Sequence, residues 1–309
     1  MPIQYPAQRS GFWTPATSTL NWCEEDYYAT IYAAEIVNSM TNLLFVWLGT
    51  KGIINCRRNG HDPIFVVAYT GYLLVGIGSF LFHATLKYPM QLVDELSMIY
   101  TVCVICYSSF SHQRSAVFRL FLAILLFCIA VSVTLYYHFL GDPTFHQRVF
   151  GILSLAAIFH GIYSMHVALH PLFRYPTKEG RPASGKRDMP ISTNEGLDYQ
   201  SARDLAILRS MWHLGLYGLG LFFTGYIIWN LDNQMCNDLR KWRRTIGLPW
   251  GIILEGHGWW HLMSGTGAYV CLVWEILLRH CANGQQENYS LWWPYLWSVP
   301  EVRRVKQKK

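Results

Sequence analysis

Seven stretches of about 20 apolar residues leave this chain little choice of fold. They cover residues 33–54, 63–86, 90–111, 117–137, 149–169, 211–231 and 248–278. At about 1.5 Å per residue, each can cross a hydrocarbon core of about 30 Å, and the last can tilt or overhang. Only helices satisfy their own backbone groups in such a medium without closing a barrel. The balance of 52% apolar against 14% charged residues suits one polytopic membrane domain better than two soluble ones. The expectation is an all-α integral membrane protein with seven transmembrane helices.

Residues 1–30 carry Pro2, Pro6, Pro15, Glu24, Glu25 and Asp26 where a signal peptide would have a basic patch followed by an apolar core. The first span is therefore read as the insertion signal. Seven spans put the termini on opposite faces, and the basic residues choose between the two orientations. With the C-terminus cytoplasmic, 18 of the 25 Lys and Arg fall inside, seven of them between Arg174 and Arg209. Arg240, Lys241, Arg243 and Arg244 dissent from that orientation. The expected order is a lumenal N-terminal segment (1–32) and a seven-helix transmembrane domain (33–278), then a basic cytoplasmic tail (279–309). A mobile cytoplasmic loop is expected at 170–209, where five prolines and glycines cluster within 171–185. The charge of +6 reads as an orientation signal, since no nucleic-acid motif accompanies it.

Five cysteines lie in or beside spans and read as small hydrophobes, the C-x-x-C of Cys103 and Cys106 included. Cys23 and Cys236 are the two that this topology places on the lumenal side, where a disulfide can form.

Topology also gathers polar residues that are costly in lipid. Ser79 and His83 near the end of the second span, Asp94 one turn into the third, and EGHGWWHL at the start of the seventh all share one depth. Ser79 and His83 are i, i+4, as are His257 and His261, and the latter pair can aim two imidazoles at one cation. A third from His83 completes the three-ligand set of a catalytic zinc. Three neutral nitrogens suit zinc better than calcium or magnesium. A nearby carboxylate would move the proton and the Ser79 hydroxyl would donate to a developing oxyanion. Asp94 and Glu95 are about 100° apart around their helix, so at most one faces the metal squarely, and spacing does not choose between them. Before the first span, Asn21, Glu24, Asp26, Glu35 and the carbonyl of Trp22 offer hard oxygens for a cation. An acidic cap on the first helix explains most of them equally well.

The segments NWCEEDYYATIYAAEIVNSMTN, GSFLFHATLKYPMQLVDELSM and EGHGWWHLMSGTGAY resemble the three signature regions of the alkaline ceramidases, in particular fungal phytoceramidases and dihydroceramidases. The resemblance implies a seven-helix intramembrane amidase that hydrolyses ceramide to a sphingoid base and a fatty acid. Fungal relatives favour phytoceramide or dihydroceramide and also run the condensation backward without acyl-CoA. It implies zinc on His83, His257 and His261, with Asp94 and Ser79 catalytic. It implies calcium on Asn21, Trp22, Glu24, Asp26 and Glu35, and it fits a Cys23–Cys236 disulfide. The substrate it implies is a ceramide-type lipid in the bilayer, and the expected compartment is the endoplasmic reticulum membrane or the Golgi.

Three rivals explain less. A zinc-containing lipid receptor of the adiponectin-receptor type predicts a longer soluble domain before the first span. A retinal-binding receptor wants a Schiff-base lysine within 248–278, which holds none. A structural or transport role accounts for neither the shared depth nor the paired imidazoles.

Overall fold

The computed structural model describes residues 3–170 and 193–305. Its helices are α1 (Ile36–Thr41), α2 (Leu43–Asn59), α3 (Pro63–Thr85), α4 (Tyr88–Ser111), α5 (Ala116–Leu140), α6 (Pro143–Leu169), α7 (Thr193–Gln234), α8 (Cys236–Ile246) and α9 (Gly256–Ala282). A hairpin of β1 (Tyr289–Trp292) and β2 (Glu301–Arg304) follows.

Local chemistry sets the helix ends. Gly60, at φ 67°, closes α2, after which Asp62 accepts a hydrogen bond from Ile64 N and Pro63 opens α3. The same device recurs at Gly141, Asp142 and Pro143, between α5 and α6.

The protein is all-α in its membrane region and multi-pass. Among the described residues, six helices are long and apolar enough to cross a bilayer: α3, α4, α5, α6, α7 from Tyr199 onward, and α9. The expected span 33–54 is built differently, from α1 and the 17-residue α2 with a break at Asn42. Side chains around the break bond back to the helix. Ser39 Oγ donates to Glu35 O (2.7 Å), Thr41 Oγ1 to Val37 O (3.0 Å) and Asn42 Nδ2 to Asn38 O (2.9 Å). Such bonds compete with the helical ladder and interrupt it.

α9 is the centre of the bundle. Two-thirds (67%) of its apolar window is buried, against 17% for α5, which leaves most of its surface to lipid. Small residues allow close approach: a Cβ at Gly267 would lie 2.7 Å from Gly218 O on α7, so the two backbones nearly touch there.

Three expected boundaries move. The span 248–278 begins only at Gly256, because Ile3 pairs with Leu248 and a 3-10 turn at Trp250–Leu254 intervenes. Of the expected loop 170–209, residues 171–192 lie outside the described residues, and residues 193–209 are helical, forming the start of α7. Within the expected basic tail, residues 289–304 form a hairpin whose Val302 is fully buried in the core, and residues 306–309 lie outside the described residues.

Candidate metal centre

His83 ends α3, and His257 and His261 open α9. The three offer one ligand nitrogen each, all within 4.8 Å of one another, and all three residues are buried. Their ring centroids lie 4.5 to 5.0 Å apart.

Neighbours contact two of the rings at Nδ1. His83 Nδ1 lies 2.5 Å from Glu35 Oε2, and His261 Nδ1 lies 3.0 Å from Thr41 Oγ1. The Glu35 carboxylate only accepts, so it holds the His83 proton on Nδ1 and leaves that ring's Nε2 as the ligand atom. Thr41 and Asn42, whose amide is 3.2 Å from the same His261 nitrogen, are second contacts that sequence reasoning missed. His257 is held by stacking, with the Trp22 ring 4.2 Å away, and its Nδ1 has no hydrogen-bond partner. Three buried neutral imidazoles with oriented rings and an orphaned nitrogen fit a zinc-type ion.

The adjacent carboxylates diverge. Asp94 lies where α4 packs closely on α3, beside Ser79. Gly78 makes this possible, since a Cβ there would meet Asp94 Cα and N at 3.1 Å. Glu95 turns instead to α5 and accepts from Tyr137 Oη and from Gln91 Nε2 (3.1 Å). His146 Nε2 on α6 lies 2.7 Å from Glu95 O, and Gln91 Oε1 accepts from Thr19 N at 2.8 Å. Glu95 therefore helps lock α4 to α5, while Asp94 is the carboxylate next to Ser79.

The acidic N-terminal segment does several jobs. Glu24 accepts from Val37 N (2.8 Å) and Asn38 N (2.9 Å) and so caps α1. Glu35 accepts from Trp22 N (3.0 Å) and Asn38 Nδ2 (3.1 Å) as well as contacting His83. Asn21 Nδ2 donates to Asp26 Oδ2 (3.2 Å), while Asp26 Oδ1 is buried without a partner. Burial first, and the Glu35 charge second, push Asp26 above the usual carboxylate range. Glu24 is raised too, by burial and then by Glu255 and Glu35. Buried, mutually repelling carboxylates with an unspent oxygen fit a hard cation. Among the described residues, no second set of three His, Cys, Asp or Glu side chains is gathered as closely as the histidines.

Two residues of the basic cluster, Arg240 and Arg243, pack on the N-terminal segment. Arg240 donates to Cys23 O (2.9 Å) and Glu24 O (3.1 Å). The fully buried Arg243 donates to Cys23 O (2.6 Å), pairs with Glu255, and lies 3.2 Å from Glu25. A disulfide joins Cys23 to Cys236, with Cα atoms 5.4 Å apart. Asp232, in the last turn of α7, accepts from Gly256 N (3.1 Å) and holds the start of α9. The sequence singles out Arg243 only as one of the dissenting basic cluster, and Glu255 not at all. The signal was available: four basic residues on the unexpected side require acidic partners, and Glu24, Glu25 and Asp26 are nearby candidates.

Comparison with known proteins adds an independent line. A family model described as Ceramidase matches residues 14–303. The chain is 31% identical to mouse alkaline ceramidase 3 over 272 residues, covering 88% of this chain and 87% of the relative. It is 32% identical to alkaline ceramidase YPC1 of Saccharomyces cerevisiae over 305 residues, covering 94% and 86%. An alkaline ceramidase of Arabidopsis thaliana matches at 23% over 303 residues, 97% of each chain. The mammalian and yeast relatives match about equally, so similarity does not select a fungal branch.

Proposed function

The chain belongs to the alkaline ceramidase family and is a membrane-embedded amide hydrolase of ceramide-type lipids; on that premise we propose that His83, His257 and His261 hold a catalytic zinc ion. The observation that carries this reading is the convergence of three buried imidazoles, with Ser79 one helical turn before His83 on α3. When bound, zinc supplies Lewis acidity and a water that is nucleophilic near neutral pH.

The chain's own residues do the rest. Asp94 takes the proton from the attacking water and returns it to the leaving amine of the sphingoid base. Ser79 holds that carboxylate in the resting site and turns to the carbonyl oxygen as negative charge develops. Glu35 keeps the His83 ring aimed by accepting at Nδ1. A two-tailed amide does not leave the bilayer, so a site recessed among helix ends suits it.

Calcium is the proposed occupant of the acidic segment, held by Asn21, Trp22 O, Glu24, Asp26 and Glu35. Its charge would relieve the repulsion among the carboxylates and brace α1 against the histidines. The proposed topology has seven crossings, with α1 and α2 together spanning about 36 Å as the first. The N-terminus is lumenal, in the endoplasmic reticulum or Golgi, and the C-terminus cytoplasmic. Pairing of Arg240 and Arg243 with the N-terminal segment removes the main objection to that orientation. Phytoceramide or dihydroceramide is the proposed substrate, with reverse synthesis possible in chemical principle.

Purified chain assayed with ceramide, dihydroceramide and phytoceramide, with and without a zinc chelator, tests this reading. Turnover should stop with chelation and return with zinc. Equal turnover throughout would refute it.

A further inference from the structure

The C-terminal hairpin lies at the end of the bundle opposite the histidines, and two rulers measure how far it enters. At its base, Tyr289 Oη donates to Asn59 O at the end of α2 (3.2 Å), and Arg304 N donates to Asn59 Oδ1 (3.0 Å). The Tyr289 ring stacks 3.5 Å from that of His280 near the end of α9. Four residues up the strand, Trp293 meets Tyr217 within α7, with centroids 5.1 Å apart. On the return, Pro300 O accepts from Tyr269 Oη (3.1 Å), and Glu301 pairs with Lys51 inside α2.

The strand climbs about 13 Å between Tyr289 and Trp293. Lys51 stands about 12 Å above Asn59 along α2, and Tyr269 about 16 Å above His280 along α9. Strand and helices agree. The 27-residue α9 is about 40 Å long and overhangs a core of about 30 Å by about 5 Å at each end. The tip therefore reaches about 10 Å into the acyl layer.

The chemistry of the tip fits that depth. Tyr295, Leu296 and Trp297 are 59%, 66% and 84% exposed, although the strands beneath them are anchored in the core. Polar groups flanking the tip bond within the turn: Trp293 Nε1 donates to Ser298 O (3.2 Å) and Ser298 Oγ to Tyr295 O (2.6 Å). The Lys51 charge within α2 is met by Glu301 from the hairpin. Arg303 leans up the hairpin, over the Trp292 ring at 3.7 Å and 2.8 Å from Glu301, so its charge too is met within the hairpin.

We propose that the hairpin is a re-entrant wedge whose tip, Tyr295, Leu296 and Trp297, is solvated by the lipid tails of that leaflet. Its partner is the bilayer, and the segment is not a free tail in water. This inference does not depend on the zinc or the substrate.

Nitroxide probes on the full chain in phosphatidylcholine vesicles test it. Probes are placed by Trp297→Cys and Leu296→Cys in a Cys128→Ser background, Cys128 being an exposed free cysteine. Phe127→Cys, mid-span on α5, and Asn288→Cys, exposed at the hairpin base, serve as references. Ceramide hydrolysis checks that each labelled chain is folded. Both tip probes should relax with oxygen as the 127 probe does, and resist a polar nickel chelate about tenfold better than the 288 probe, because the chelate is excluded from hydrocarbon. Nickel access equal to that at 288 would place the tip in water and overturn the proposal. Exclusion of both quenchers would mean that protein, a second copy included, covers the tip, and would overturn it equally.

Discussion

Glu35 Oε2 lies 2.5 Å from His83 Nδ1, so a carboxylate of the proposed calcium site also orients a histidine of the proposed zinc site. The two sites share a side chain, and a change at one is felt at the other. Glu35 also accepts from Trp22 N, and the Trp22 ring stacks on His257.

Glu35→Ala is expected to weaken zinc affinity about 10- to 100-fold, the usual effect of losing such a partner. Glu35→Gln can still bond to the imidazole and should lose less. Competition with a chelator of known affinity reads the difference. Wild-type zinc affinity in the alanine variant would break the proposed link.

Gly78→Ala tests the placement of Asp94. The added methyl meets Asp94 backbone atoms at 3.1 Å, so α3 and α4 must separate slightly. The expected stability loss is about 1–3 kcal/mol, with kcat falling about 10- to 100-fold. Asp94→Asn should abolish turnover while zinc content stays at the wild-type level. An active Asp94→Asn enzyme would remove that residue from the mechanism.

Arg243→Ala leaves Glu25 and Glu255 buried without their shared cation. Breaking such a cluster costs about 3–5 kcal/mol, so the melting temperature should drop by several degrees or more. Unchanged melting would mean that the cluster contributes little to stability.

His61 gives a pH signature at the hairpin end. Burial lowers its imidazole to about 4, with Val302 O accepting at 3.0 Å and His280 Nε2 2.9 Å away. As pH falls below about 6.5 the unfolded chain takes up this proton before the folded one does, so stability is lost progressively down to about pH 4. The loss is at most about 3 kcal/mol. Melting curves from pH 7 to 4.5 should fall less steeply for His61→Gln than for the wild type. Parallel slopes would contradict the assignment.

Legibility in the sequence followed the range of the interactions. The i, i+4 spacing of His257 and His261 is local, and helix geometry alone puts both on one face. His83 could be matched to them because span lengths fix depth. The Asp94 and Glu95 choice was not legible, since it depends on which helices lie beside α4: Ser79 on one side, Tyr137 and His146 on the other. The break at Asn42 was hidden because apolar counting ignores hydroxyl and amide side chains that bond back to carbonyls. The hairpin was hidden by composition: residues 279–309 read as a basic tail, while the aromatic tip between the two strands is too short to register as a span.

The most direct test counts metal in the purified, membrane-inserted protein. Elemental analysis should find one zinc per wild-type chain and none in His83→Ala or His261→Ala, with ceramide hydrolysis lost in both. Full turnover by either histidine variant, or by a wild-type enzyme free of zinc, would contradict the account.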